Sequence, residues 1–97
     1  MIKKTLYFSN PAYLSLRQGQ MVIKQPDIEK NKDMPDWMKR DLEVTIPIED
    51  IGVVVIDHKQ VTLTQALISA LLENNCALIT CDSKSMPMGL MLPLHGN

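Results

Sequence analysis

Hydrophobic and polar residues alternate through the first 25 residues, and this pattern predicts short β-strands. KTLYFSN is rich in β-forming residues, YLSLRQ sets Leu14 and Leu16 between polar neighbours, and MVIK is a third apolar run. The NPAY and RQGQ segments predict turns, because proline fixes φ and Gly19 tolerates a positive φ. We therefore expect a β-meander over these residues.

The middle of the chain predicts a central strand beside an edge strand. IGVVVID is apolar without alternation, which is typical of a strand covered on both faces. LEVTIPIED alternates, so Val44, Ile46 and Ile48 are expected to point inward. Pro47 cannot donate to a ladder and indicates a sheet edge or a bulge. CALITC and GLMLPL predict two further strands near the end of the chain.

TLTQALISALLENN has the periodicity of an amphipathic helix. Thr62 and Gln65 have capping-box spacing, which predicts a helix that begins at about Leu63 and covers about 63–74. With the strands before and after it, this helix makes a βαβ unit. The predicted fold class is α+β and β-rich, with two packed β-sheets in a sandwich-like arrangement and one main helix.

The composition supports one small globular domain spanning residues 1–97. The chain has 97 residues, 45% hydrophobic and 22% charged, and no run is long enough to cross a membrane. Cys76 and Cys81 flank an apolar strand without metal or redox spacing, which is typical of buried reduced thiols in a cytoplasmic protein. Residues 1–40 carry eight Lys and Arg against four Asp and Glu, so an anionic partner could contact this half. A mixed surface after folding is the alternative.

The segment 25–41 breaks the strand rhythm with two prolines and many charges. It is either a surface excursion or a short helix around residues 36–41. In the helical reading, Trp37 and Met38 dock this segment on the body of the domain. Alternatively, the two side chains are exposed and contact a protein partner.

Few residues combine into a catalytic pattern. Asp57 and His58 follow the predicted central strand, and Asp82 and Ser83 follow CALITC. If these strands are parallel neighbours, the carboxylates of Asp57 and Asp82 meet at one edge and could hold a metal ion or act in a hydrolase with His58. The alternative is that both aspartates are turn residues that cap backbone N–H groups. His95 is expected to be solvated, and no phosphate-loop or metalloprotease motif is present.

The order of these segments resembles a known family. The resemblance is carried by three segments: TLYFSNPAYLSLRQGQMVIK, IPIEDIGVVVIDHKQVTLT and NNCALITCDSKSMPMGLMLPL. The chain resembles the N-terminal domain of the CRISPR-associated adaptation integrase, which is the universal Cas protein numbered one, in its type II-like form. The resemblance runs almost from end to end and is least specific over 25–41. It implies a β-sandwich-like scaffold domain of a metal-dependent DNA endonuclease and integrase that inserts new spacers into the CRISPR array in antiviral defence.

The resemblance also implies where the chemistry occurs. In that family a separate helical domain holds the Mg²⁺ or Mn²⁺ ligands, so this chain is expected to contain no catalytic or metal residue and no cofactor, and to be inactive alone. The implied partners are a second copy of the chain, the small second adaptation protein, and double-stranded DNA with 3′ overhangs, all in the cytoplasm. An unrelated small cytoplasmic interaction module is the alternative.

DNA contacts are implied for the loop after the first strand. In the resembled family this loop braces the end of the DNA duplex, and here it corresponds to residues 9–13. Asn10 and Tyr13 are therefore candidate contacts, with the Tyr13 ring suited to stacking on a base pair. The alternative places Tyr13 inside the first hairpin. Lys3, Lys4 and Arg17 are near this loop in sequence and could contact phosphate.

Overall fold

The computed structural model describes residues 3–25 and 43–94, which form two four-stranded mixed sheets and one α-helix. Sheet A has the strand order β1-β5-β7-β8, and sheet B has the order β4-β3-β2-β6. This arrangement confirms the α+β, β-rich class with two packed sheets. The strands and the helix are β1 Lys4–Phe8, β2 Ala12–Arg17, β3 Gln20–Lys24, β4 Val44–Pro47, β5 Ile51–Ile56, β6 Val61–Leu63, α1 Gln65–Glu73, β7 Ala77–Cys81 and β8 Pro87–Met91.

One hydrophobic core joins both sheets and the helix. Leu14 and Met21 of sheet B, Val54 of sheet A, and Leu67 and Leu71 of α1 are fully buried in the same cluster. Side-chain alternation directs Leu14 and Met21 toward this core, whereas their strand neighbours Tyr13 and Val22 lie on the other face of sheet B. Each sheet therefore has a second face directed away from this core.

β5 is an interior strand, as its apolar sequence predicted, with parallel partners β1 and β7. Its covering is less complete than expected, since Val53 and Val55 are only half-buried. β4 lies at the edge of sheet B, in agreement with Pro47 at its end. The prediction that Val44 points into the core was wrong, because its side chain is 51% exposed at the start of this edge strand.

The predicted β-meander over the first 25 residues was also wrong. β2 and β3 form the expected hairpin, with Gln18 and Gly19 at positive φ in its turn. β1, however, pairs with β5 in sheet A, whereas β2 belongs to sheet B. The loop between β1 and β2 thus crosses from one sheet to the other, which alternation alone does not reveal.

The helix begins two residues later than predicted. Thr64, not Thr62, is the N-cap, and its side-chain oxygen accepts a hydrogen bond from the Leu67 amide at 3.3 Å. Thr62 lies in β6, a strand that the sequence analysis had assigned to a loop and the start of the helix. β6 pairs in parallel with β2, so its backbone groups are satisfied by the sheet before the helix starts.

Candidate functional site

The turns after β5 and β7 lie together, as the parallel pairing predicted. They line an open cleft of about 640 Å³ that includes Asp57, His58 and Asp82. The Tyr7 hydroxyl donates a hydrogen bond to the Asp57 carboxylate, and the His58 Nδ1 atom accepts one from the Gln60 amide at 3.0 Å. The first contact ties Asp57 to β1, and the second holds the His58 ring within its own turn.

Asp82 has a structural role of the same kind. Its Oδ1 atom accepts hydrogen bonds from the backbone amides of Lys84 at 2.8 Å and Met86 at 3.0 Å. The carboxylate thereby organises the turn into β8, where Ser85 adopts a positive φ of 62°. For Asp82 this geometry agrees with the alternative of a turn aspartate that caps backbone N–H groups, whereas the Asp57 carboxylate accepts from the Tyr7 hydroxyl.

The turn at Asp57–Gln60 leads into β6 rather than directly into the helix. The expectation that it joined the central strand to its covering helix was therefore wrong. Within residues 3–25 and 43–94, no three His, Cys, Asp or Glu side chains are placed to hold a metal ion together. The described residues consequently offer no three-residue ligand set for Mg²⁺ or Mn²⁺, which the family resemblance assigns to a separate helical domain, and no chemical step is assigned to them.

Sheet A has an apolar outer face, meaning the face directed away from the core. Tyr7, Val55, Ile79 and Leu90 are neighbours across β1, β5, β7 and β8 and form one cross-strand row. Tyr7 is 58% exposed and Leu90 61% exposed, so the row is open to solvent at both ends. An apolar row of this length on a sheet surface is typical of a contact with another protein.

A second row continues the same face. It consists of the neighbouring residues Thr5, Val53 and Ala77. Neither row contains a charged residue, and the nearest carboxylate, on Asp57, is hydrogen-bonded to Tyr7 at the rim. The outer face of sheet A is defined here by these seven residues.

Sheet B presents a different outer face, which is polar and aromatic. Tyr13 and Arg17 of β2 lie on it by strand alternation, and Lys24 is the cross-strand neighbour of Tyr13. Tyr13 is 44% exposed, which excludes the alternative that its ring is packed inside the first hairpin. Tyr13, which NPAY assigned to a turn and YLSLRQ to a strand, is the second residue of β2.

Glu43 connects the two basic side chains of this face. Its carboxylate lies 3.1 Å from the Arg17 guanidinium and 3.5 Å from the Lys24 ammonium. Burial opposes ionisation of Glu43, but the hydrogen bond from Arg17 and the charge of Lys24 outweigh it and lower its pKa. Val22, on the same face between these strand positions, is buried. Because the Glu43 carboxylate contacts both cations, Arg17, Lys24 and Glu43 form one linked group on the face that carries Tyr13.

Asn10 lies exposed in the loop between β1 and β2. This loop and the end of β3 line a small cleft of about 230 Å³ that includes Asn10, Ile23 and Gln25. The loop therefore lies beside the same end of sheet B that carries Tyr13 and Lys24. The structure thus brings Asn10 and Tyr13 to one end of sheet B, whereas Arg17 lies at the other end of β2 and only its guanidinium is linked to this end, through Glu43 and Lys24.

Lys3 and Lys4 lie elsewhere. Lys4 is at the start of β1 and is four residues from Phe8, which corresponds to about 13 Å along the strand. The Lys3 Nζ atom approaches the Asn74 carbonyl oxygen at 3.4 Å, at the end of α1. The expectation that these two lysines accompany the loop fails because β1 carries them to the opposite end of sheet A.

Two site predictions cannot be compared with the structure, because Trp37 and Met38 lie outside the described residues. Lys24 and the apolar row of sheet A were missed by the sequence analysis. Lys24 ends an ordinary alternating strand, and only the register of the hairpin shows that it is beside Tyr13. The sequence shows that Tyr7 and its neighbours Leu6 and Phe8 point to opposite faces of the strand, but it does not show which of these faces is exposed to solvent.

The chain is 32% identical over 93 residues to the CRISPR-associated endonuclease Cas1 of Neisseria meningitidis serogroup C (strain 8013). This match covers 96% of the chain but 26% of that relative, so the chain spans about a quarter of the relative's length. No protein-family model matches the chain.

Several solved structures share the fold of this chain, among them two complexes that contain a Cas1 protein. A TtCas1–DNA complex superposes with a TM-score of 0.67 at 16% identity, over 93% of this chain and 28% of that one. A partial Cas6-RT-Cas1–Cas2 complex superposes with a TM-score of 0.67 at 15% identity, over 93% of this chain and 23% of that one. In the described residues, no helix is long and apolar enough to cross a membrane.

Proposed function

We propose that this chain, which matches the N-terminal domain of the Cas1 family in sequence and in fold, is a scaffold domain for CRISPR spacer acquisition. It pairs with a second copy of itself and braces the end of a DNA duplex. The chemistry of integration, with its Mg²⁺ or Mn²⁺, belongs to residues outside this chain. The setting is the cytoplasm, and the further partner is the small second adaptation protein, which the Cas1–Cas2 complex among the structural neighbours supports.

The uncharged outer face of sheet A carries the pairing proposal. In a two-fold dimer the same surface of each copy faces the other, so this surface must be self-complementary. Like charges on such a surface would repel each other across the two-fold axis. The two rows on the outer face of sheet A contain no charged residue, so this repulsion does not arise. Tyr7 and Leu90 at the two ends of the longer row would lose their solvent exposure in such a dimer.

Leu90→Lys tests the pairing. Burial of a leucine contributes about 1.5–3 kcal/mol, and both copies lose it in a two-fold dimer. The loss of about 3–6 kcal/mol corresponds to a dimer dissociation constant raised about 10²- to 10⁴-fold. Sedimentation velocity over a concentration series should show a dimer for the unmodified chain and a monomer for Leu90→Lys.

Val44→Lys is the matched control for this experiment. Val44 is also an exposed apolar residue on an edge strand, but it belongs to sheet B. Its replacement should leave the dimer intact. A chain that stays monomeric at millimolar concentration, or a dimer insensitive to Leu90→Lys, would remove the basis for the pairing proposal.

DNA bracing is assigned to Asn10, Tyr13 and Arg17. The exposed ring of Tyr13 can stack on the last base pair, since aromatic stacking on a base contributes about 1–3 kcal/mol without requiring a particular sequence. The exposed Asn10 loop borders the same surface. Lys3 and Lys4 are left out of the proposal because they lie at the far end of sheet A.

A fluorescent base at the duplex end tests this assignment. A duplex with a 3′ overhang and 2-aminopurine in its terminal pair should change fluorescence when the chain binds. Tyr13→Ala should abolish the change, and Tyr13→Phe should restore it because the ring is retained. An unchanged signal in Tyr13→Ala would show that another group contacts the duplex end.

A further inference from the structure

We infer that Lys24, together with Arg17, forms a phosphate-contacting pair beside Tyr13 on the outer face of sheet B. The inference rests on the proposed DNA-end bracing and adds a residue that the sequence analysis did not select. It assigns the DNA backbone, rather than an acidic protein, to this surface. Tyr13 contacts the terminal base pair, and the two cations contact the phosphates next to it.

The register of the β2–β3 hairpin places Lys24 next to Tyr13. Cross-strand neighbours in an antiparallel pair have Cα atoms about 4.5–5.5 Å apart and direct their side chains to the same face. A base pair stacked on Tyr13 therefore brings its own strands within reach of a lysine side chain. Lys24 remains accessible, since 38% of its side-chain surface is exposed.

The Arg17 guanidinium is linked to the Lys24 ammonium through Glu43. Arg17 lies four residues from Tyr13 along β2, but its guanidinium lies within 3.1 Å of the Glu43 carboxylate that also holds the Lys24 ammonium. Glu43 thus keeps two positive groups together on the face of sheet B that carries Tyr13. Phosphate oxygens can then replace water around both cations without a large rearrangement of either side chain.

The charge of this group favours an anionic ligand. Among the residues that the structure describes, these two cations and the one carboxylate leave an excess of one positive charge on the face that carries the exposed aromatic ring. Nucleic acid end recognition uses this combination, because the ring contacts the base and the cations contact the backbone. An acidic peptide would match the charge but would leave the flat surface of Tyr13 without a stacking partner.

The salt dependence of DNA binding tests the inference. Fluorescence anisotropy with a labelled duplex carrying 3′ overhangs gives the affinity of the chain between 50 and 200 mM NaCl. Each phosphate contact contributes about 0.9 to the slope of log affinity against log salt. Lys24→Gln and Arg17→Gln should each lower this slope by about 0.9 and weaken binding at low salt.

Lys4→Gln is the matched control, because it changes the net charge by the same amount at the far end of sheet A. Its slope should equal that of the unmodified chain. Equal losses for Lys4→Gln and Lys24→Gln would overturn the inference, since binding would then follow net charge alone. An unchanged slope in Lys24→Gln would also overturn it.

Failure of the DNA-end bracing and failure of the phosphate contacts give different results. If the unmodified chain does not bind the duplex, or binds it without a terminal 2-aminopurine response, the proposed bracing function fails. If the chain binds and gives the Tyr13-dependent response but Lys24→Gln keeps the full slope, only the phosphate assignment fails. Circular dichroism of each variant verifies that the sheets remain folded.

Discussion

Leu71 gives a quantitative test of the core that supports both outer faces. Its side chain is fully buried where α1 meets the sheets. Leu71→Ala removes the buried side chain but retains a residue that favours helix formation, so the effect measures packing rather than helix propensity. Loss of transfer free energy together with the cavity left behind lowers the free energy of unfolding by about 3 kcal/mol, within a usual range of about 2–5 kcal/mol.

That loss is large for a domain of this size. Domains of about 100 residues have unfolding free energies of roughly 5–15 kcal/mol. With a urea dependence of about 1–3 kcal/mol per molar, a loss of about 3 kcal/mol moves the unfolding midpoint down by about 1–3 M. Urea titration followed by circular dichroism measures this shift directly.

Leu94→Ala is the control, because the same chemical change is made at a fully exposed side chain. Its unfolding free energy should lie within about 0.5 kcal/mol of that of the unmodified chain. Equal midpoints for the two variants would refute the reasoning, since Leu71 would then contribute no more to stability than an exposed leucine.

Four other predictions concern the helix cap, a carboxylate and the two thiols. Thr64→Ala should lower the unfolding free energy by about 1 kcal/mol in urea titrations, because the Leu67 amide loses its cap, whereas Thr62→Ala should leave that amide capped. The pKa of Glu43 is lowered in the folded chain, so its contribution to stability is present above its usual pKa of 4.5 and is lost as pH falls through the folded value. Glu43→Gln should therefore reduce the loss of stability on the acid side in urea titrations at a series of pH values. An unaltered pH profile would argue against the ion-paired group. Burial raises the pKa of Cys76 to about 11, against an opposing effect of the Lys3 charge, so stability should fall as pH rises from 9 through 11, and Cys76→Ala should flatten that fall. Iodoacetamide labelling followed by peptide mass spectrometry should modify half-buried Cys81 before buried Cys76, and the reverse order would contradict the placement of these side chains.

The strands were predictable because their local patterns agree with their final environments. MVIK and CALITC have β-forming composition, and both became strands with residues in the core. IGVVVID has no polar face, and it became an interior strand with neighbours on both sides. In these cases local pattern and tertiary packing favour the same structure.

The failures arose where long-range pairing determines the outcome. β1 pairs with β5, which is more than 40 residues away in sequence, and not with β2. The alternation of apolar and polar residues does not determine which strand becomes the neighbour. β6 was missed because three residues beside a helix signal carry little periodicity, although their pairing with β2 stabilises them. The helix start moved to Thr64 for the same reason, since Thr62 belongs to that short strand.

The candidate site was predictable only in part. Asn10 and Tyr13 came from the family resemblance, and the structure places both at one end of sheet B. Proximity in sequence misassigned Lys3 and Lys4, because a strand separates its two ends by more than a side chain can reach. Lys24 could be found only from the hairpin register, and the uncharged rows of sheet A only from the pairing of four strands.

Amide chemical shifts of the ¹⁵N-labelled chain, recorded while a duplex with 3′ overhangs is added, test most directly whether the two outer faces make separate contacts. The account predicts that DNA shifts the signals of Asn10, Tyr13 and Lys24, and that Val55 and Ile79 respond instead to protein concentration. If DNA shifted the signals of the sheet A rows and left those of Tyr13 and Lys24 unmoved, the assignment of DNA to sheet B would be contradicted.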